Sequence, residues 1–196
     1  ANNSRLSPRC SIPAVVTLDA ERWRTRGHHV RAMESVGGAS HAHTRGGVEN
    51  VIRVALTAML RELPAAQIDG VIGLLKDIFG RWPQLNAKRV VGHSDVAPAR
   101  KVDPGEKFPW KRLAEAGVSI WPAHTQGIEL DADEPVSAAQ QSLAFIGYGV
   151  RQTDYMDEAT KTALIAFQRR FRPSDISGAL DDETQRLLIA VARLVQ

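Results

Sequence analysis

A helical stripe that runs into a β-branched strand and then a loop rich in Pro and Gly constrains this chain more than any other feature. Ile68, Val71, Ile72, Leu75 and Phe79 recur at the spacing of one helix face within residues 67–79. Pro64 suits the beginning of that helix and Gly80 its end. Through Arg81-Trp82-Pro83 the chain reaches Arg89-Val90-Val91, whose β-branched residues predict a strand. The strand opens into Gly92-His93-Ser94-Asp95-Val96-Ala97-Pro98-Ala99-Arg100-Lys101-Val102-Asp103-Pro104-Gly105. Helix, strand and polar loop in that order suit an α/β domain with its chemistry at strand ends.

The loop carries groups that do chemistry. A neutral imidazole and a carboxylate, His93 and Asp103, are good ligands for zinc, and a catalytic zinc typically takes three protein ligands plus a water. Lys101 stands two residues before Asp103, where its ammonium can lie beside a metal-bound oxygen. Asp95, two residues after His93, can orient a ligand from behind or cap the turn. Trp110 and Trp121 read as domain core ahead of a sugar groove, because large aromatics beside Pro are more often core. His124, just past Trp121-Pro122, reads as an exposed residue.

Composition separates the two ends of the chain. Residues 126–196 hold 7 Lys and Arg against 11 Asp and Glu, leaving 18 against 11 in residues 1–125. The basic first part would suit an acidic polymer, or simply a solvated surface. Residues 1–62 are rich in Arg, contain no Lys, and hold four of the six His. Apart from the strand-like run from Ile12 to Leu18, they show little periodicity. A single cysteine, Cys10, excludes an internal disulfide framework. There is no Gly-rich phosphate loop, no Ser or Cys nucleophile motif, and no basic-aromatic interleaving of the kind that binds nucleic acid. No apolar run approaches the roughly 18–20 residues that span a membrane. No signal-peptide core follows the N-terminus, so an export signal is expected outside this chain.

Beyond a polar, acidic linker lies a second module. Residues 136–145 read as a helix, followed by a Gly147-Tyr148-Gly149 turn. The pattern Asp-x-x-Thr-x-x-x-Leu then occurs twice, at Asp157-Thr160-Leu164 and at Asp181-Thr184-Leu188, each Asp a helix N-cap in the expected place. Leu143, Leu164, Phe167, Leu187 and Leu188 are the expected core of a three-helix unit.

The loop from His93 to Gly105, with Phe108-Pro109-Trp110 and residues 117–122 after it, resembles the zinc-dependent N-acetylmuramoyl-L-alanine amidases, whose loop reads Gly-His-x-Asp-x-Ala-Pro-x-Arg-Lys-x-Asp-Pro-Gly. The resemblance covers about Leu63 to Pro122. It implies an α/β fold, a mixed sheet flanked by helices, over residues 1–122, with 1–62 matching the family poorly, as in a truncated or divergent copy. It also implies a linker at 123–134 and a small all-α module at 135–196 that resembles the peptidoglycan-binding domain appended to cell-wall hydrolases.

On this resemblance His93 and Asp103 are ligands of Zn2+, and Lys101 stabilises negative charge on the attacked carbonyl oxygen. Glu49, in Gly47-Val48-Glu49, stands where the family has its general base. The implied reaction is hydrolysis, by a zinc-activated water, of the amide joining N-acetylmuramic acid to L-alanine in peptidoglycan or muropeptides, in the cell envelope or periplasm. The family's first His ligand has no counterpart in the Ala14–Leu18 run, and the upstream imidazoles are His28, His29, His41 and His43. Two alternatives follow: an inactive peptidoglycan-binding protein of the same ancestry, or a different zinc hydrolase using His41 or His43.

Overall fold

The structure, a computed structural model, describes residues 64–130 and 133–196, together with the strand residues Val16–Thr17 (β1), Met33–Glu34 (β2) and Ile52–Val54 (β3). Helix α1 spans Ala65–Arg81 and buries Ile68, Val71, Leu75 and Ile78, with Ile72 and Phe79 partly buried beside them. The stripe is the expected one with its edge rotated toward Ile78. Pro64 is the N-cap. Gly80 does not end the helix, which continues to Arg81. What stops it is Trp82, held at φ −126° and ψ 85°, because the residue before Pro83 is pushed out of the helical region.

A turn and a short 3-10 segment, Ala87–Arg89, lead into β4, Val90–Gly92. The Asn86 side chain caps that segment by accepting from Lys88 N–H at 3.0 Å. β4 pairs parallel with β3 in the register Ile52↔Val90, Arg53↔Val91 and Val54↔Gly92, so β3, α1 and β4 form a β-α-β unit. β1 and β2 pair antiparallel. Strand pairs of both senses are therefore present among the described residues. The core under α1 is completed by Leu85, Val90, Phe108, Trp110, Leu113 and Val118, with Trp110 and Leu113 on α3 (Trp110–Glu115).

The second half is a three-helix unit: α4 Pro135–Ile146, α5 Glu158–Phe171 and α6 Asp182–Val195. Leu143, Leu164, Phe167, Leu187 and Leu188 are all in its core, as the sequence predicts. Pro135 sits at the first turn of α4, where its missing N–H has no helical partner to lose. Asp157 and Asp181 cap α5 and α6, accepting from the backbone N–H of Thr160 (2.7 Å) and Thr184 (2.9 Å).

The repeat is deeper than the sequence pattern. Asp154 and Gly178 both take left-handed backbone, φ 64° and φ 77°. Each donates its N–H to the side-chain oxygen of a buried Gln, Gln140 or Gln168. The next carbonyl, of Tyr155 or Ala179, accepts from the Nε2 of the same Gln, which also donates to the hydroxyl of Thr160 or Thr184. One polar knot thus occurs twice, each copy locking a helix start to the preceding helix.

The two cores meet. Trp121 packs against both, with its ring 6.0 Å from that of Phe171. Trp110 is almost fully buried and Trp121 partly so, and His124 is exposed, each as the sequence predicts.

Candidate functional site

At the C-terminal end of β4 the chain turns into α2, the single helical turn His93–Val96. Two features of the loop fold it back on itself. Arg100 and Lys101 N–H both donate to the Ala97 carbonyl, at 2.9 Å each. Ser94 N–H then donates to the Asp103 carbonyl at 2.8 Å. That last bond brings together the two residues picked out in the sequence. His93 Nδ1 and Asp103 Oδ2 face one another at 3.1 Å, with side chains 23% and 20% exposed. The Asp103–Pro104 peptide is cis.

Gly92 is favoured here by proximity. A Cβ at this position would lie 3.1 Å from Asp95 Oδ2 and 3.1 Å from Pro104 Cδ. Its backbone is ordinary and extended, φ −77° and ψ 158°. The glycine therefore serves packing, letting the strand end and the Pro104 arm close on each other.

The donor set can be tested against zinc. An imidazole nitrogen and a carboxylate oxygen are both accepted zinc ligands. Two such donors on one tetrahedral zinc, each at about 2.0–2.1 Å, would stand about 3.3 Å apart. The 3.1 Å approach of Nδ1 and Oδ2 is close to that bite, and both groups are open to solvent on one side. The pair fits the metal. No group of three metal-binding side chains occurs among the described residues.

Lys101 is partly exposed, and its ammonium has no ion pair among the described residues. Glu49, the expected general base, lies outside the described residues, as do His28, His29, His41 and His43. A cleft of about 970 Å³ runs between the linker and α6, lined by residues such as Gln126, Glu129, Asp182 and Arg186, and takes no wall from the His93–Asp103 loop.

Asp95 caps the turn and does more. It is 8% exposed, and its Oδ2 accepts from Gly92 N–H at 2.7 Å. The same oxygen accepts from Arg170 Nη1 at 2.9 Å, and Oδ1 accepts from the Tyr148 hydroxyl at 2.7 Å. Burial, reinforced by the Asp95 charge, pushes the Tyr148 hydroxyl well above its usual pKa, so it stays a donor.

Tyr148 and Arg170 were not singled out as site residues in the sequence. Arg170 left one trace: it lies between Phe167 and Phe171 on the apolar face of α5, where a charge needs a partner. Tyr148 follows Gly147, whose φ of 116° ends α4. Gly147 N–H bonds the Ala144 carbonyl and Tyr148 N–H that of Leu143, a Schellman turn that aims the tyrosine back toward the first domain.

Fold and loop define a class: an α/β domain with its polar machinery at one strand end, joined to a three-helix module. Comparison with known proteins supplies the family. Residues 11–106 match the N-acetylmuramoyl-L-alanine amidase family model, which extends well upstream of Leu63. Residues 132–188 match that of a peptidoglycan binding domain. The chain joins a domain of the N-acetylmuramoyl-L-alanine amidase family to one of the peptidoglycan-binding family.

Among similar proteins is the N-acetylmuramoyl-L-alanine amidase AmiD of Escherichia coli K12, 37% identical over 132 residues that cover 64% of this chain and 47% of that protein. The chain spans about half the length of the curated relatives it matches first. The crystal structure of AmpDh3 from Pseudomonas aeruginosa in complex with anhydromuramic pentapeptide superposes with a TM-score of 0.60 at 32% identity, over 72% of this chain and 61% of that one. The structure of E. coli AmiD with its substrate anhydro-N-acetylmuramic acid-L-Ala-D-γ-Glu-L-Lys gives 0.69 at 25% identity, over 99% and 93%.

Proposed function

We propose that this chain hydrolyses the amide between N-acetylmuramic acid and L-alanine of peptidoglycan or muropeptides, in the cell envelope or periplasm. The observation that carries this reading is the 3.1 Å approach of His93 and Asp103, in a loop that follows the amidase pattern from Gly92 to Gly105.

His93 and Asp103 would hold zinc, with a third donor from the upstream segment where His28, His29, His41 and His43 lie. Zinc, when bound, lowers the pKa of a water to about 7 and polarises a carbonyl. Lys101 brings positive charge to the carbonyl oxygen, where negative charge builds as the amide is attacked. Glu49 takes the proton from the attacking water and returns one to the departing amine of alanine. The three-helix module holds the chain on its polymeric substrate. The solved neighbours carry anhydromuramyl peptides, which makes those the first substrates to try.

The test is to incubate the full chain with zinc and defined muropeptides, anhydro and intact, and follow free peptide by mass spectrometry. Release that a chelator abolishes and zinc restores is the expected result. No release, with sedimentation on peptidoglycan intact, would sink the amidase reading and leave a binding protein.

A further inference from the structure

Arg170 belongs to the helical module, yet its guanidinium is spent on the metal loop. It is 5% exposed and lies 4.2 Å above the Trp110 ring and 4.8 Å from that of Phe171. Nη1 donates to Asp95 Oδ2 at 2.9 Å. Nη2 donates to the Val90 carbonyl at 3.1 Å and to Ser119 Oγ at 3.2 Å. Val90 begins β4 and Asp95 lies on α2, so the fork grips the chain on both sides of His93. Asp95 passes the grip on through Gly92 N–H and also receives Tyr148. Arg170 and Tyr148 both reach across from the module and both end on this one carboxylate.

A buried ion pair is weak evidence for stability, because desolvating the two charges offsets most of their attraction. What such a pair gives, with its oxygens and most of its N–H groups engaged, is a defined geometry. The geometry defined here is that of the strand end and turn from which His93 projects.

We propose that Arg170, with Tyr148, is a positioning residue for the His93–Asp103 pair, so that the helical module completes the catalytic loop as well as binding substrate. This rests on the amidase reading above for its effect on rate. Its structural half can be tested without any turnover.

Tyr148→Phe removes one hydroxyl and keeps the ring packing. Arg170→Met removes the guanidinium, with its hydrogen bonds and its contact with the Trp110 ring, and keeps an unbranched apolar side chain in its place. In the full chain, amide hydrogen exchange at Gly92 and Ser94 reports the loop, and exchange at Leu164 and Leu188 reports the module. Both variants should speed exchange at Gly92 and Ser94 while the module's amides stay protected. Turnover should fall about 10- to 100-fold for Arg170→Met, the range for a residue that orients a metal ligand. The loss for Tyr148→Phe should be smaller, with KM little changed in both. Unchanged exchange at Gly92 and Ser94 would overturn the proposal. So would looser loop exchange with undiminished turnover, since the contact would then be structural only. A wild-type chain that releases no peptide, but whose loop loosens in both variants, would overturn the amidase reading and leave the mechanical coupling standing.

Discussion

The buried polar sites in the two halves of the chain are built on opposite plans. In the helical module Gln140 and Gln168 find all their partners inside the module, in loops and helix starts of matching geometry. In the amidase domain Asp95 finds one partner next door, Gly92 N–H, and the other two across the domain boundary. The module's polar groups thus serve its own folding. The loop around His93 is short, with two Pro and little apolar mass of its own, and takes rigidity from its neighbour. Changes in the loop should therefore move rate, and changes in the module's knots should move stability.

The largest effect is expected at Lys101. Its backbone N–H bonds the Ala97 carbonyl whatever the side chain is, and its ammonium has no ion pair among the described residues to lose. Lys101→Ala should lower kcat by roughly 10²–10³, as when one donor to a developing oxyanion is removed. Its unfolding free energy should stay within about 0.5 kcal/mol of wild type. Steady-state kinetics and denaturant titration of the same preparation give both numbers. A stability loss matching the rate loss would break the division between the two regions, and an unchanged kcat would remove Lys101 from the mechanism.

Next come the two knots. Leu in place of Gln140 or Gln168 keeps most of the volume and orphans the groups each Gln served. These are the Thr153 and Asp154 N–H groups in one copy, and the Gly178 N–H and Ala179 carbonyl in the other. An orphan costs about 1–3 kcal/mol when buried and less where water can reach it, as at these part-buried groups, so each variant should lose roughly 1–3 kcal/mol in denaturant unfolding followed by far-UV circular dichroism. The two losses should be alike. Below the unfolding transition, turnover should hold within a few-fold. A Gln168→Leu variant that kept its stability and lost its turnover would place the knot in the site.

What could be read in advance divides along the same line. The α1 stripe and the two Asp-x-x-Thr helix starts are local patterns, with spacings short enough to show in one window. The meeting of His93 and Asp103 was legible because they share one loop. Ile78 was missed in favour of Phe79 because the two lie three and four residues beyond Leu75, on opposite edges of the stripe, and packing alone decides which is the more buried. The Asp95 partners were illegible for a stronger reason. Tyr148 stands 53 residues away and Arg170 stands 75, in another domain, and no periodicity links them. The left-handed step at Asp154 was equally hidden, because only its copy at 178 uses the glycine that advertises one.

The smallest effect is electrostatic, and it sharpens the comparison by pH. The Thr160 hydroxyl and backbone N–H hold the Asp157 carboxyl below its usual pKa. At Asp181 burial works the other way and would raise the pKa. The Thr184 N–H and Arg172 outweigh it, so the net shift is downward. A carboxylate whose folded pKa is depressed binds its proton more readily when unfolded. Its contribution is therefore complete above the unfolded value of about 3.9 and is lost as pH falls through the folded value. The module should lose stability below about pH 4, with no such loss between pH 5 and 8 from these two groups. Asn caps helices nearly as well as Asp and does not titrate. Asp157→Asn should change neutral-pH stability little, Asp181→Asn should cost more because it also removes the charge paired with Arg172, and each should make the acid limb shallower. Unfolding midpoints measured from pH 2 to 6 decide it, and an acid limb as steep in the double variant as in the wild type would mean that other carboxylates carry the acid sensitivity of this half of the chain.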